Sequence, residues 1–163
     1  VRTILVASDA PSVRREVAAV TQSPEVEVLQ ATSGPTLLAM LGDLDEAPDL
    51  VVVDMQMGNM GGMAVCLELG LEESYLDVDH IPVLMLLDRR PDVFLARRSG
   101  AEGWLVKPLD PLRLRRATAA LMDGGTYADD SYQPVPVLVD GVGALPNAGT
   151  APAAGGGGHA TGA

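Results

Sequence analysis

Three apolar blocks constrain the fold of this chain more than any other feature: Ile4-Leu5-Val6, Leu50-Val51-Val52-Val53 and Val83-Leu84-Met85-Leu86-Leu87. Each is short, continuous and aliphatic. An uninterrupted run of this kind, if it is a strand, is buried on both faces, and such strands belong to parallel sheets covered by helices above and below. Trp104-Leu105-Val106 is a shorter block of the same type. Val26-Glu27-Val28-Leu29-Gln30 mixes in polar residues, as a half-exposed edge strand does. Aromatic residues make up only 3 % of the chain, so the core must be built from Leu, Val, Met and Ala.

Helical signals fill the intervals. Pro11 to Val20 has Pro at a first-turn position and Val13, Val17 and Val20 on one face. Gly34-Pro35 opens a second helix carrying Leu37, Leu38 and Leu41, and Gly61-Gly62 precedes a third from Met63 to Leu71. Pro91 to Ser99 ends at Gly100, a C-cap residue, while Asp110-Pro111 supplies an N-cap and a first-position proline for a helix to about Met122. Strand and helix alternate five times. Right-handed crossovers then predict an α/β fold: a doubly wound, five-stranded parallel sheet with helices on both faces.

Composition shifts near Gly124-Gly125, and from Gln133 the chain is largely Pro, Ala, Gly and Val, ending after Gly155-Gly156-Gly157-Gly158. Such a segment buries too little apolar surface to offset its ordering entropy. The expectation is one domain over 1–125 and a disordered tail over 126–163, in which Val137-Leu138-Val139 alone has the character of a short docking strand. The formal net charge of −11 opposes general affinity for nucleic acid or anionic lipid. A single cysteine, Cys66, excludes an internal disulfide and suits a reducing compartment. No apolar run reaches the ~20 residues that span a membrane, and no signal peptide is evident at the start. A cytoplasmic protein without membrane insertion is expected.

In an open parallel sheet, ligands sit beyond the carboxyl ends of the strands. Reading past those ends gives Ser8-Asp9, Asp54, Leu87-Asp88 and Lys107. Asp9 by itself reads as a cap for the Pro11 helix. Asp9, Asp54 and Lys107 together, each at a strand end, predict one site. The chemistry that suits it is phosphoryl transfer to Asp54, whose carboxylate can attack phosphorus in line. That attack brings two anions together and calls for a hard cation. Mg²⁺ takes a few carboxylates, a carbonyl and water, which Asp9, Asp54 and the Gln56 backbone carbonyl can supply. Lys107 acts as a point charge on a phosphoryl oxygen.

These residues carry a family resemblance. The run Asp49 to Gly62 around Asp54 resembles the phospho-acceptor signature of response-regulator receiver domains of two-component signalling. Ile81-Pro82-Val83-Leu84-Met85-Leu86 resembles the fourth strand of that family, and Gly100 to Pro108 resembles its fifth-strand block with the Lys-Pro pair. The resemblance covers residues 2–122. It implies a flavodoxin-like strand order 2-1-3-4-5, Asp54 as acceptor, Asp9 as metal ligand, Lys107 as phosphate sensor, Trp104 as switch aromatic and a cis Lys107–Pro108 bond. It further implies phosphate supplied by a histidine kinase or phosphotransfer protein, and no enzymatic activity beyond self-catalysed acceptance and hydrolysis.

Three departures from the family pattern stand out. Ser8 replaces the first of two adjacent acids, which lowers the affinity expected for Mg²⁺. Leu87 replaces the hydroxyl residue that in the family bonds the phosphoryl group and draws the aromatic inward, and Asp88 beside it adds repulsion if it points inward. Gly58 replaces a proline after the acceptor strand. The interval from Leu87 to Lys107 is also short, which predicts a curtailed fourth helix. These features leave a second reading open, a pseudo-receiver that keeps the fold and signals without phosphate.

Eight of the eleven basic residues, Arg89, Arg90, Arg97, Arg98, Lys107, Arg113, Arg115 and Arg116, fall in the 89–116 span. That span builds the usual output face of the family, so it reads either as a dock for an acidic partner or second copy, or as a solvated surface. It is not expected to bind nucleic acid directly, because only Phe94 and Trp104 interleave the arginines. His80 reads as a surface residue and Cys66 as packing, and Met55, Met57, Met60 and Met63 as packing around the site. A haloacid-dehalogenase-type phosphatase would need an acid where Gln56 stands, a flavodoxin a Ser/Thr-rich loop after the first strand, and a nucleotide-binding fold its glycine-rich loop. None is present. No helical periodicity marks a fused DNA-binding module after residue 125, which suggests a stand-alone receiver acting through protein contacts.

Overall fold

The computed structural model describes residues 1–76 and 78–131. The strands β1 (Arg2–Ala7), β2 (Val26–Ala31), β3 (Leu50–Asp54), β4 (Val83–Leu87), β5 (Gly103–Val106) and β6 (Tyr127–Ala128) form one parallel sheet in the order β2-β1-β3-β4-β5-β6. Its helices are α1 (Pro11–Thr21), α2 (Gly34–Asp43), α3 (Gly62–Leu76), α4 (Val93–Ser99) and α5 (Pro111–Met122). The five expected strands lie in the flavodoxin-like order, and β6 extends the sheet beyond β5.

The continuous apolar blocks are explained by their two-sided burial. All five residues of β3 and all five of β4 are buried. Successive side chains alternate between the faces. Leu5, Val51, Val53, Met85 and Leu87 pack under Leu37, Val65, Val93 and Ala96, whereas Ile4, Val6, Val52, Leu84 and Leu86 pack under Val17, Leu114, Ala117 and Leu121. Helices α2, α3 and α4 therefore cover one face, and α1 and α5 the other.

Local chemistry sets most helix ends. Ser33 caps α2 by accepting from Thr36 N at 3.2 Å, and Asp110 caps α5 by accepting from Arg113 N at 2.9 Å. Gly100, at φ +86°, ends α4 in the left-handed conformation. Two helices differ from expectation. Helix α3 runs on to Leu76, because Glu72, Glu73 and Ser74 continue the helix after its apolar pattern ends. Helix α4 has only 7 residues and is entered through a 3₁₀ turn over Arg90–Asp92 that contains Pro91, consistent with the short interval between Leu87 and Lys107.

The segment after α5 departs from the tail expected over 126–163. Gly124, at φ +81°, reverses the chain, and Tyr127–Ala128 pairs with Gly103 and Trp104 of β5. Two paired residues leave no periodicity in the sequence, so β6 has no local signal. Its approach depends on Gly103, where a Cβ would lie 2.9 Å from the Tyr127 carbonyl oxygen. The remainder of the expected tail, including Val137-Leu138-Val139, lies outside the described residues. Among those described, no helix is long and apolar enough to cross a membrane.

Candidate functional site

Adjacent strands in register bring the candidate residues to one edge. Asp54 ends β3 opposite Leu86, and Leu87 ends β4 opposite Val106. Met55 N donates to Leu86 O at 2.9 Å and Lys107 N to Leu87 O at 2.8 Å, so the ladder continues just past the last strand residues. The Lys107–Pro108 peptide is cis.

At the centre is Asp54, only 1 % exposed. Its Oδ2 accepts from Lys107 Nζ at 2.8 Å and from Ser8 Oγ at 2.8 Å. Its Oδ1 is buried and has no hydrogen-bond partner. Lys107 Nζ also donates to Asp88 Oδ1 at 3.1 Å. Burial alone would lower the Lys107 pKa, but the hydrogen bond and charge of Asp54, and then those of Asp88, outweigh it and the net shift is upward. Asp88 thus brings no uncompensated repulsion, because its carboxylate shares the ammonium.

Asp9 takes no part in these hydrogen bonds. Its side chain is exposed and makes no hydrogen bond among the described residues. It does not cap α1: the N-cap is Ala10 with no side-chain cap bond, and Ser8 Oγ accepts from Ala10 N at 3.1 Å. Gln56 is exposed, and its backbone carbonyl accepts no hydrogen bond among the described residues. Among those residues no group of three or more His, Cys, Asp or Glu has metal-binding geometry. The uncommitted donors are Asp54 Oδ1, the Asp9 carboxylate and the Gln56 carbonyl. Two carboxylates and a carbonyl suit a cation that keeps several waters.

The switch positions are apolar. Leu87 is fully buried among Val93, Ala96 and Val106 and has no donor to offer a phosphoryl group. Trp104 is half-buried against the same cluster, with the Arg97 guanidinium 5.6 Å from its ring centroid. Its Nε1 is buried without a partner.

Four interactions had no clear sequence signal. Ser8 is a donor to Asp54 as well as the replacement of an acid. Arg14 Nη1 donates to Ser8 O at 2.6 Å and so braces the β1–α1 turn. Asp129, in a segment read as tail, accepts from Val106 N at 2.9 Å and from Ser131 N at 3.0 Å, one residue from Lys107. His80 is on the surface as expected, yet its ring nitrogens lie 2.8 Å from Glu73 Oε2 and 2.7 Å from Glu102 Oε1. The basic span is partly used within the fold. Arg89 pairs with Asp92 at 3.0 Å, and Arg115 donates to Val20 O at 3.2 Å. Cys66 packs in the core, where burial pushes its thiol up to about 11.

A family model described as "Response regulator receiver domain" matches residues 4–119. Response regulator PleD of Caulobacter vibrioides is 35 % identical over 113 residues, which are 68 % of this chain and 24 % of PleD. The nitrate/nitrite response regulator protein NarL of Escherichia coli is 29 % identical over 135 residues, 82 % of this chain and 60 % of NarL. The chain therefore spans less than two thirds of either relative. The structure of chemotaxis protein CheY4 of Vibrio cholerae superposes with a TM-score of 0.63 at 26 % identity, covering 74 % of this chain and 98 % of that one.

Proposed function

The chain belongs to the response-regulator receiver-domain family, and we propose that it works there as a phosphorelay switch that accepts a phosphoryl group on Asp54. The observation that carries this reading is the meeting of Lys107 Nζ and Asp54 Oδ2 at 2.8 Å while Oδ1 remains without a partner. A buried carboxylate oxygen left unsatisfied is costly, and functional sites are where such groups are retained. The donor would be a histidine kinase or phosphotransfer protein. Output would pass through protein contacts, for which the 89–116 face, to a partner or a second copy, is the candidate, in the cytoplasm.

Asp9, Asp54 and the Gln56 carbonyl would hold Mg²⁺, whose charge offsets the repulsion between carboxylate and incoming phosphoryl oxygens. The chain's own residues do the rest. Lys107 already carries its ammonium to the acceptor, and a phosphoryl oxygen would compete with Asp54 and Asp88 for it. Because Leu87 offers no hydroxyl, transmission by a hydroxyl–aromatic pair is not available. The exchange of Lys107 between Asp88 and phosphate is the change that neighbouring elements would sense.

A second reading, a pseudo-receiver that signals without phosphate, is favoured by the near-complete burial of Asp54 beneath Ser8 and Lys107. Incubation with Mg²⁺ and acetyl phosphate, followed by intact mass, separates the two. The phospho-acceptor reading expects a phosphate adduct that is lost in Asp54→Ala. Absence of adduct at every Mg²⁺ concentration, with partner binding intact in Asp54→Ala, would establish the second.

A further inference from the structure

We propose that Ser8 is a positioning residue for the acceptor, fixing the orientation of the Asp54 carboxylate. The inference rests on the phospho-acceptor reading above and deepens it. Ser8 is fully buried at the β1–α1 turn. Its hydroxyl has one proton to donate. The Ala10 N–H points at Oγ from 3.1 Å and takes up acceptor capacity, while Asp54 Oδ2 lies 2.8 Å away as the acceptor for that proton. The turn itself is held, since Arg14 donates to the Ser8 carbonyl at 2.6 Å and Ser8 N donates to Ala31 O at 3.3 Å. Ser8 therefore presents a fixed donor to the carboxylate.

Lys107 donates to that same oxygen at 2.8 Å. Two donors on Oδ2 satisfy it and stop rotation of the carboxylate, and Oδ1 is left with no partner. The two oxygens are thus inequivalent before any donor arrives. In the reaction a lone pair of the Asp54 carboxylate forms the new O–P bond as the P–O bond of acetyl phosphate breaks. Acetate leaves with that electron pair, and no proton changes hands. Ser8 is neutral, so it orients the nucleophile without adding a further carboxylate to the repulsion that an anionic phosphoryl group meets.

The test uses the full chain, acetyl phosphate and a Mg²⁺ titration, with adduct formation followed by intact mass. Ser8→Ala is expected to accept phosphate on the order of tenfold more slowly at saturating Mg²⁺, the loss of one hydrogen bond to a charged group. The half-saturating Mg²⁺ concentration should not move, because an orienting hydroxyl contributes to rate and not to cation charge balance. Ser8→Thr keeps the hydroxyl and should restore the rate. In the unphosphorylated protein, the infrared band of the Asp54 carboxylate, identified by its loss in Asp54→Asn, should shift in Ser8→Ala and return in Ser8→Thr. A wild-type rate in Ser8→Ala overturns the assignment, as does an effect confined to half-saturating Mg²⁺. A wild-type chain that takes no phosphate overturns the acceptor reading and, with it, a role for Ser8 in the reaction. The infrared band then still decides whether Ser8 holds the carboxylate.

Discussion

Without Asp129, the backbone N–H of Val106 would be stranded at the end of β5. The carboxylate of Asp129 is buried, and it takes over from the main chain where the two-residue ladder of β6 stops. Burial alone would raise its pKa, but the Ser131 and Val106 hydrogen bonds and the Arg113 guanidinium at 3.7 Å outweigh it, and the net shift is downward from 3.8. Its stabilising contribution is therefore complete above pH 3.8 and is lost as pH falls through the lower folded value. Asp129→Ala should cost about 1–3 kcal/mol by urea unfolding near neutral pH, because two donors lose their acceptor. The deficit relative to wild type should shrink below pH 3.8. At this scale the sequence is a partial guide. The meeting of Asp54 and Lys107 was legible because both stand at the carboxyl ends of strands in one parallel sheet. Ser8 and Asp129 were not, because a hydrogen bond between residues 46 or 23 positions apart depends on geometry that no local pattern encodes.

Among the elements, the carboxyl end of α3 and the entries to β4 and β5 are held together by one imidazole. His80 lies between Glu73 on α3 and Glu102 before β5, and Glu102 Oε2 also accepts from Val83 N at 2.7 Å. The hydrogen bond that the imidazolium donates to Glu73 leads in raising the His80 pKa above 6.5; partial burial opposes it, and Glu102 reinforces it. The bridge therefore contributes fully below pH 6.5 and weakens as pH rises through the higher folded value. With the imidazole about half exposed, the contribution is modest and falls with salt. The stability difference between wild type and His80→Gln should be largest near pH 6 and close as the solution becomes alkaline, measured by urea midpoints across pH. A pH-independent difference would mean that His80 acts by packing alone. The helices themselves were legible from proline, glycine and apolar spacing. What escaped was extent: α3 outlasts its apolar stripe, and α4 gives up its first turn to a 3₁₀ turn around Pro91.

Across the whole molecule, continuous apolar blocks sufficed to foretell a parallel doubly wound sheet, because only two-sided burial makes such runs stable. The sixth strand was hidden for the opposite reason. It contributes little apolar surface and depends on one missing side chain. Gly103→Ala would place a Cβ 2.9 Å from the Tyr127 carbonyl and 3.0 Å from Leu121 Cδ1. The leucine can yield, but the backbone of β6 must move. The substitution should cost about 1–3 kcal/mol and accelerate hydrogen exchange at Val106 and Asp129. Exchange unchanged at both amides would show that the sheet edge accommodates the methyl group by another route.

That sixth strand also relocates where the polypeptide leaves the sheet. Helix α5 runs away from the acceptor edge, so a chain ending at Met122 would emerge at the opposite rim. The turn at Gly124-Gly125 and the parallel run of Tyr127–Ala128 carry it back, until Ser131 borders the same cleft as Lys107 and Pro108. A fluorophore coupled at position 131 would thus sit beside the acceptor edge as a local reporter, whereas one coupled at Asp123 would report from the far rim.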